Sequence, residues 1–245
     1  MNIRMSALVV VAMLAPATSQ SQIAGNGFLF GRPKVSLTVR GGVASATANS
    51  DVFSFAAKQL TLGKNDFGSA TFGLELAFNL TPRTALQFSG TGMAKTIGSE
   101  FRDYVDNNDL PIEQRTEFRR QTTTVGLKYF LTPPGRSISR LAWVPSRITP
   151  YVAAGGGAMW YRFKQNGDFV DFKTLDVFPT TLTSSGYTAM AYGAGGFDFS
   201  LTPSLTLNTE ARYDAARATM SKAFDGFNRI DLSGLTATAG LSVRF

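Results

Sequence analysis

Six charged residues stand where chemistry or charge pairing can occur. Arg40, Glu75, Lys128, Asp198, Glu210 and Arg212 each lie inside a stretch of alternating polar and apolar residues, on its polar side. The 245-residue chain contains no His and no Cys. That composition excludes a Ser-His-Asp triad, a Cys-His pair, disulfides and thiolate-held zinc. Ser-Lys or paired-carboxylate catalysis is formally open, but nothing in the spacing gathers such groups. The expectation is therefore a protein that is not an enzyme and uses no cofactor or metal. The six residues carry both signs, as required where charges leave water and must be paired. They read as an ionic network that fills an interior, with an ion or proton path as the alternative.

The segments that must position these residues have a period of two, the signature of β-strands. At the end of the chain, Leu235, Ala237, Ala239, Leu241, Val243 and Phe245 share one face, and Gly234, Thr236, Thr238, Gly240, Ser242 and Arg244 the other. The same pattern holds in residues 34–46 and in 67–80, where Phe72, Leu74, Leu76, Phe78 and Leu80 oppose Thr71, Gly73, Glu75, Ala77 and Asn79. The tripeptide Leu-Thr-Pro recurs at 80–82, 131–133 and 201–203. Proline suits a turn and not a central ladder, so each copy marks a strand boundary. Segments 67–80, 118–131 and 186–201 precede these turns, and 84–97, 150–164 and 205–217 follow them. With one strand at each end, eight strands result. The opposite connections are long, at about 46–66, 98–117, 165–185 and 218–231, while the middle turn, 132–149, is itself extended.

The first 21 residues have the anatomy of an export signal: Arg4, the apolar run SALVVVAMLA, then Ala15-Pro16-Ala17 and a polar TSQSQ. Cleavage is expected after Ala17 or within Ser19–Ser21, followed by a short lead over 22–33 and a barrel domain over 34–245. No apolar run reaches the roughly 18–20 residues of a membrane helix. Hydrophobic residues make up 44%, charged residues 17%, with 24 Gly and 20 Phe, a composition suited to a β-barrel. The net charge of +7 is scattered singly, without the basic runs of a nucleic-acid surface, so no nucleic-acid partner is expected.

Alternation alone leaves open which face is interior. A membrane barrel turns the apolar face to lipid, whereas a soluble lipocalin-like barrel turns it inward. The mixed charges favour lipid outside. So do aromatics near strand ends: Phe78, Phe88, Tyr129, Tyr151, Phe199 and Phe245 toward the turns, and Phe67, Tyr161, Phe163 and Tyr187 toward the loops. Pairing in sequence order puts Arg40 and Glu75 on adjacent strands at mid-height with Glu210 nearby. Lys128 and Asp198 fall near the turn end, two strands apart, with Val152 and Ala154 expected between them.

Thr238, Gly240, Val243 and terminal Phe245 resemble, in type and spacing, the assembly signal of outer-membrane β-barrels. The chain from about 34 to 245 resembles small outer-membrane barrels of the OmpA, OmpX and OmpW type, without an appended peptidoglycan-binding domain. The resemblance implies an all-β, eight-stranded antiparallel transmembrane barrel with short periplasmic turns and longer extracellular loops. It also implies a monomer in the cell outer membrane, surrounded by lipid and lipopolysaccharide and inserted by the barrel-assembly machinery. The expected role is envelope support or the presentation of binding loops. A narrow channel for small hydrophobic molecules is the alternative, and a soluble periplasmic lipocalin-like barrel the third.

The loops add detail. Residues 98–117 hold Glu100, Asp103, Asp106, Asp109, Glu113 and Glu117 against two Arg; they read as a solvated acidic loop, with a divalent-cation site as the sharper option. Phe53, Phe55, Leu60 and Leu62, with Phe169, Phe172, Leu175 and Phe178, are expected to cap the barrel mouth, with an entrance for a hydrophobic solute or a docking surface for a partner as the sharper alternative. Arg136, Arg140 and Arg147 beside Trp143 suggest contacts of the middle turn with anionic headgroups or cell-wall polymer, or an amphipathic turn resting on the membrane surface.

Overall fold

Alternating residues can satisfy every backbone group without a sheet edge only if the sheet closes, and this one does. The computed structural model describes residues 27–106, 109–139, 141–171, 174 and 176–245. The expected export signal lies outside them. Among the described residues the strands are β1 (Val35–Ala46), β2 (Ser69–Asn79), β3 (Thr84–Val105), β4 (Pro111–Phe130), β5 (Gly135–Ser139), β6 (Ala142–Pro145), β7 (Ile148–Val170), β8 (Val177–Ser200), β9 (Leu205–Ala218), β10 (Ile230–Asp231) and β11 (Gly234–Arg244), with one α-helix, α1 (Asp51–Gln59), and short 3-10 turns at Lys64–Phe67 and Lys222–Phe224. Among the described residues eight strands form an antiparallel ring in the order β1-β2-β3-β4-β7-β8-β9-β11, closed by β11 on β1.

The closing seam pairs Val39 with Leu241 and Arg40 with Gly240. A Cβ on Gly240 would stand 2.2 Å from the Val39 carbonyl oxygen and 2.7 Å from Arg40 Cα. Glycine is therefore needed where the Arg40 side chain leaves the wall.

The apolar face is outside. Leu37, Val39, Val43, Phe72, Leu74, Phe78, Phe88, Val125, Leu127 and Tyr129 are exposed on the ring's outer surface, while Thr38, Arg40, Glu75, Gln87 and Thr124 are buried within it. Water would not stabilise so continuous an apolar belt, and lipid does. The fold is a transmembrane β-barrel.

Two Leu-Thr-Pro turns use the same device. Thr81 Oγ1 accepts from the amides of Arg83 (3.2 Å) and Thr84 (3.0 Å), and Thr202 Oγ1 accepts from Leu205 N at 3.0 Å. The third opens into the β5–β6 hairpin.

Several expectations are corrected. Most of segments 98–117 and 165–185 is strand: β3 pairs with β4 in register up to Glu100 and Glu113 and again, after a register shift, at Val105 and Pro111, and β7 pairs with β8 up to Val170 and Val177. Alternation fades there because Arg115, Glu117 and Arg119 point outward while Gln114 and Thr116 point inward. With polar groups on both faces the hydrophobic period vanishes, although the backbone ladder continues. The aromatic belt at the loop end is also revised. Tyr187 is exposed, but Phe67, Tyr161 and Phe163 are buried, as is Tyr151 at the turn end. On β7 Tyr151, Met159, Tyr161 and Phe163 share the inward parity, while Val152, Trp160, Arg162 and Lys164 share the outward one.

Candidate functional site

The inward positions follow from register. Arg40 on β1 reaches Glu75 on β2 and Glu210 on β9 by direct ion pairs. Tyr151 Oη donates to Glu210 Oε2 at 3.0 Å. Asn208 Nδ2 donates to Tyr151 Oη (2.9 Å) and to Asp198 Oδ1 (2.7 Å). Asp198 Oδ2 pairs with Lys128 Nζ at 3.3 Å, and the ammonium lies 3.6 Å from the Tyr151 ring centroid. These groups form one connected network from mid-height to the turn end. Val152 and Ala154 do not separate Lys128 from Asp198, since both face outward; Ala153 and Tyr151 occupy the interior there.

Arg212 belongs to a second cluster. Its Nε donates to Asp214 Oδ1 at 2.7 Å, Nη1 to Ser89 Oγ at 3.2 Å and Nη2 to Thr124 Oγ1 at 3.4 Å. The guanidinium stacks 3.7 Å from the Tyr192 ring centroid, and Gln87 Nε2 donates to Tyr192 Oη at 2.6 Å. A Cβ on Gly126 would meet that hydroxyl at 2.1 Å, so this glycine admits the tyrosine across the lumen. Among the described residues, the buried cations are Arg40, Arg120, Lys128, Arg212 and Arg244, and the buried anions are Glu75, Asp198, Glu210, Asp214 and Asp231. Five charges balance five, which is what a low-dielectric interior demands.

Both mouths are covered. At the loop end, α1 lowers Phe53 into the barrel, where its ring meets Phe67, Phe118 and Phe163 at 4.7, 5.6 and 5.6 Å between centroids. Leu60, Leu62, Met93, Met159, Tyr161, Phe224, Ile230 and Leu232 complete this apolar plug. The cap is thus built from 46–68 and 219–233. Residues 165–185 contribute less: Phe169 and Phe178 stack on each other in a projecting hairpin (6.4 Å), and Phe172 and Leu175 lie outside the described residues. Phe55 faces outward beside Phe227. The two plug segments are tied by Asp51 Oδ2, which accepts from Asn228 N (2.8 Å) and Nδ2 (2.9 Å). Arg120 donates to the Leu232 carbonyl beneath the plug.

At the turn end the long middle connection turns Trp143 inward and leaves Ile138 and Leu141 exposed. The β5–β6 hairpin folds under the barrel and buries Trp143, which exchanges backbone hydrogen bonds of 2.9 Å with Leu29 of the lead. Arg244 stands 5.8 Å over the Trp143 ring. Of the outward groups, Glu100 and Glu113 face each other across β3 and β4. Thr238 and Gly240 line the seam inside, while Val243 and Phe245 face outward. The Phe245 amide donates to Val35 O at 2.9 Å.

Sequence reasoning missed Tyr151, Asn208 and Asp214. The last two lie two residues from Glu210 and Arg212 on the same face, a signal that was legible; Tyr151 was hidden by its size, which suggested lipid.

No protein-family model matches the chain, and no curated protein matches it in sequence. Among solved structures it is similar to outer-membrane protein OprG from Pseudomonas aeruginosa, at 14% identity over 88% of this chain and 98% of that one, with a TM-score of 0.49. A major outer-membrane protein of Thermus thermophilus gives 12% identity, 86% and 98% coverage and a TM-score of 0.46. The solution structure of E. coli outer-membrane protein W gives 13%, 88% and 99%, and 0.41.

Proposed function

We propose that the chain is a non-enzymatic barrel of the cell outer membrane that serves as a closed structural element, presenting its plug and projecting hairpins outside the cell. The carrying observation is the doubly covered lumen: an apolar plug at the loop end, a Trp143 lid at the turn end and a charge-balanced network between them. An eight-stranded interior is about filled by its own side chains, and here the ionic network and the plug occupy it between the two covered mouths, leaving small cavities beside Arg120 and beside Trp143. In this reading Thr238, Gly240, Val243 and Phe245 present the assembly signal to the insertion machinery, and the turns lie in the periplasm.

The second reading is passage of small hydrophobic molecules. It is favoured by the apolar upper lumen and by ladders that stop early: β8 pairs with β9 only up to Met190 and Ala216, and β2 with β3 only up to Thr71 and Met93. Above those points the wall is completed by loop segments, where a lateral exit would form if the plug moved. A lipocalin-like arrangement is disfavoured by the outward apolar face. The test is flux of ions and of a small apolar solute into vesicles carrying the refolded protein, with heat-modified mobility as the folding control. The closed-barrel reading expects flux no greater than that of protein-free vesicles. Apolar solute flux with ion tightness would replace it by the transport reading.

A further inference from the structure

The outer face of β4 and β7 changes character at one height. Val125, Leu127, Tyr129 and Val152 form its exposed apolar part. Above them Trp160 stands opposite Gln121 on one side and Tyr187 on the other, and Tyr187 is 79% exposed. From Tyr129 up to Arg119 the barrel rises roughly 25 Å, the height of a lipid-facing band bounded by aromatic girdles. One outward row above Trp160, Arg119 faces Arg162 across the ladder, and in the next row Glu117 faces Lys164.

Like charges directly opposite on paired strands destabilise the sheet. Glu117 answers only part of this, through an ion pair to Arg119 Nε. Arg162 lies 5.4 Å from the Trp160 ring centroid, forms no ion pair among the described residues, and its buried Nε has no hydrogen-bond partner there. Arginine forks grip phosphate with two parallel hydrogen bonds. Directly below, the outward pairs Ala158–Ala189 and Gly156–Ala191 leave a shallow slot on β7 and β8 beneath the aromatic row.

We propose that this face is a binding site for a phosphorylated outer-leaflet glycolipid, the lipid A part of lipopolysaccharide. Its phosphate sits between Arg119 and Arg162 with Lys164 above, and an acyl chain lies along the small-residue slot. The proposal rests on the outer-membrane reading, with loops outside, and deepens it by naming a partner.

The experiment measures binding of purified lipid A by the refolded full-length mature chain in detergent, using native mass spectrometry and the shift in thermal unfolding. Dephosphorylated lipid A and phosphatidylglycerol serve as parallel probes. Arg119→Gln with Arg162→Gln is expected to weaken lipid A binding about tenfold or more, because two charge-assisted contacts are lost. Arg217→Gln, on the outer face of β9, is expected to leave it unchanged. Equal binding by the double variant, or equal binding of dephosphorylated lipid A, overturns the site; equal binding of phosphatidylglycerol overturns the assignment to lipid A. Both variants face outward, so heat-modified mobility verifies that each still forms the barrel. Recovery of the wild-type chain in the outer-membrane fraction tests the underlying reading separately.

Discussion

Replacing Arg40 by Met removes the cation shared by Glu75 and Glu210 and leaves two carboxylates facing each other inside the barrel. At an effective dielectric of about 20, each pair at roughly 4 Å is worth about 4 kcal/mol of attraction. The two lost attractions are partly offset because the guanidinium no longer has to leave water. Repulsion between the remaining carboxylates adds to the loss. Breaking a buried pair from one side costs about 3–5 kcal/mol, and that is the expected loss here. Urea unfolding of the refolded chain in detergent micelles, followed by heat-modified mobility, reads it out. Adding Glu75→Gln and Glu210→Gln to Arg40→Met removes both orphaned charges at nearly constant volume, and most of the loss is expected to return. The charge account is refuted if Arg40→Met stays within about 1 kcal/mol of wild type. It is equally refuted if the triple variant is as unstable as the single, because packing of the Arg40 stem would then be the cause.

Other consequences follow from the same geometry. Phe53→Ala empties the centre of the plug and is expected to cost about 3 kcal/mol; hydrogen exchange should accelerate in residues 48–62 while amides of β1 and β2 keep their protection. Gly240→Val places a branched side chain where even a Cβ stands 2.2 Å from Val39 O; the fraction reaching the heat-modifiable form should fall sharply, whereas Gly98→Val, with nothing within 4 Å, should fold normally. The chain's two tryptophans sit in different media, Trp143 in the covered mouth and Trp160 on the outer wall. In vesicles of brominated lipid, Trp143→Phe should retain strong quenching and Trp160→Phe should lose most of it; the reverse would displace the hairpin from the barrel mouth.

The membrane-facing half of the molecule was legible without coordinates. Period-two alternation around Val39, Leu74 and Leu241, the Leu-Thr-Pro punctuation and the terminal aromatic are local properties, and a strand's two faces are set by residue parity alone. Strand number and ring order follow from them. Parity puts Arg40, Glu75, Lys128, Asp198, Glu210 and Arg212 on one kind of face, and pairing in sequence order brings Arg40 to Glu75 and Glu210, and Lys128 toward Asp198, as the ion pairs have them; the partners of Arg212 needed the register of the whole ring.

What tertiary structure decided lies at the two ends. Residues 98–105, 111–117, 165–170 and 177–185 continue as strand because a hydrogen-bonded ladder, once begun, needs no hydrophobic period. Phe53 and Trp143 are both large and apolar, and sequence places each in a connection between strands; the apolar first loop already points Phe53 to a cap over the mouth, whereas nothing in its own connection points Trp143 inward. Only the closed ring creates the enclosed mouths into which they fold, and burial in those mouths is a property of curvature and register that no window of the chain contains. Tyr151 and Phe163 make the same point on a single strand. An aromatic ring is stable against lipid or against a packed lumen, so its type does not choose its side; the register of β7 against β4 and β8 does.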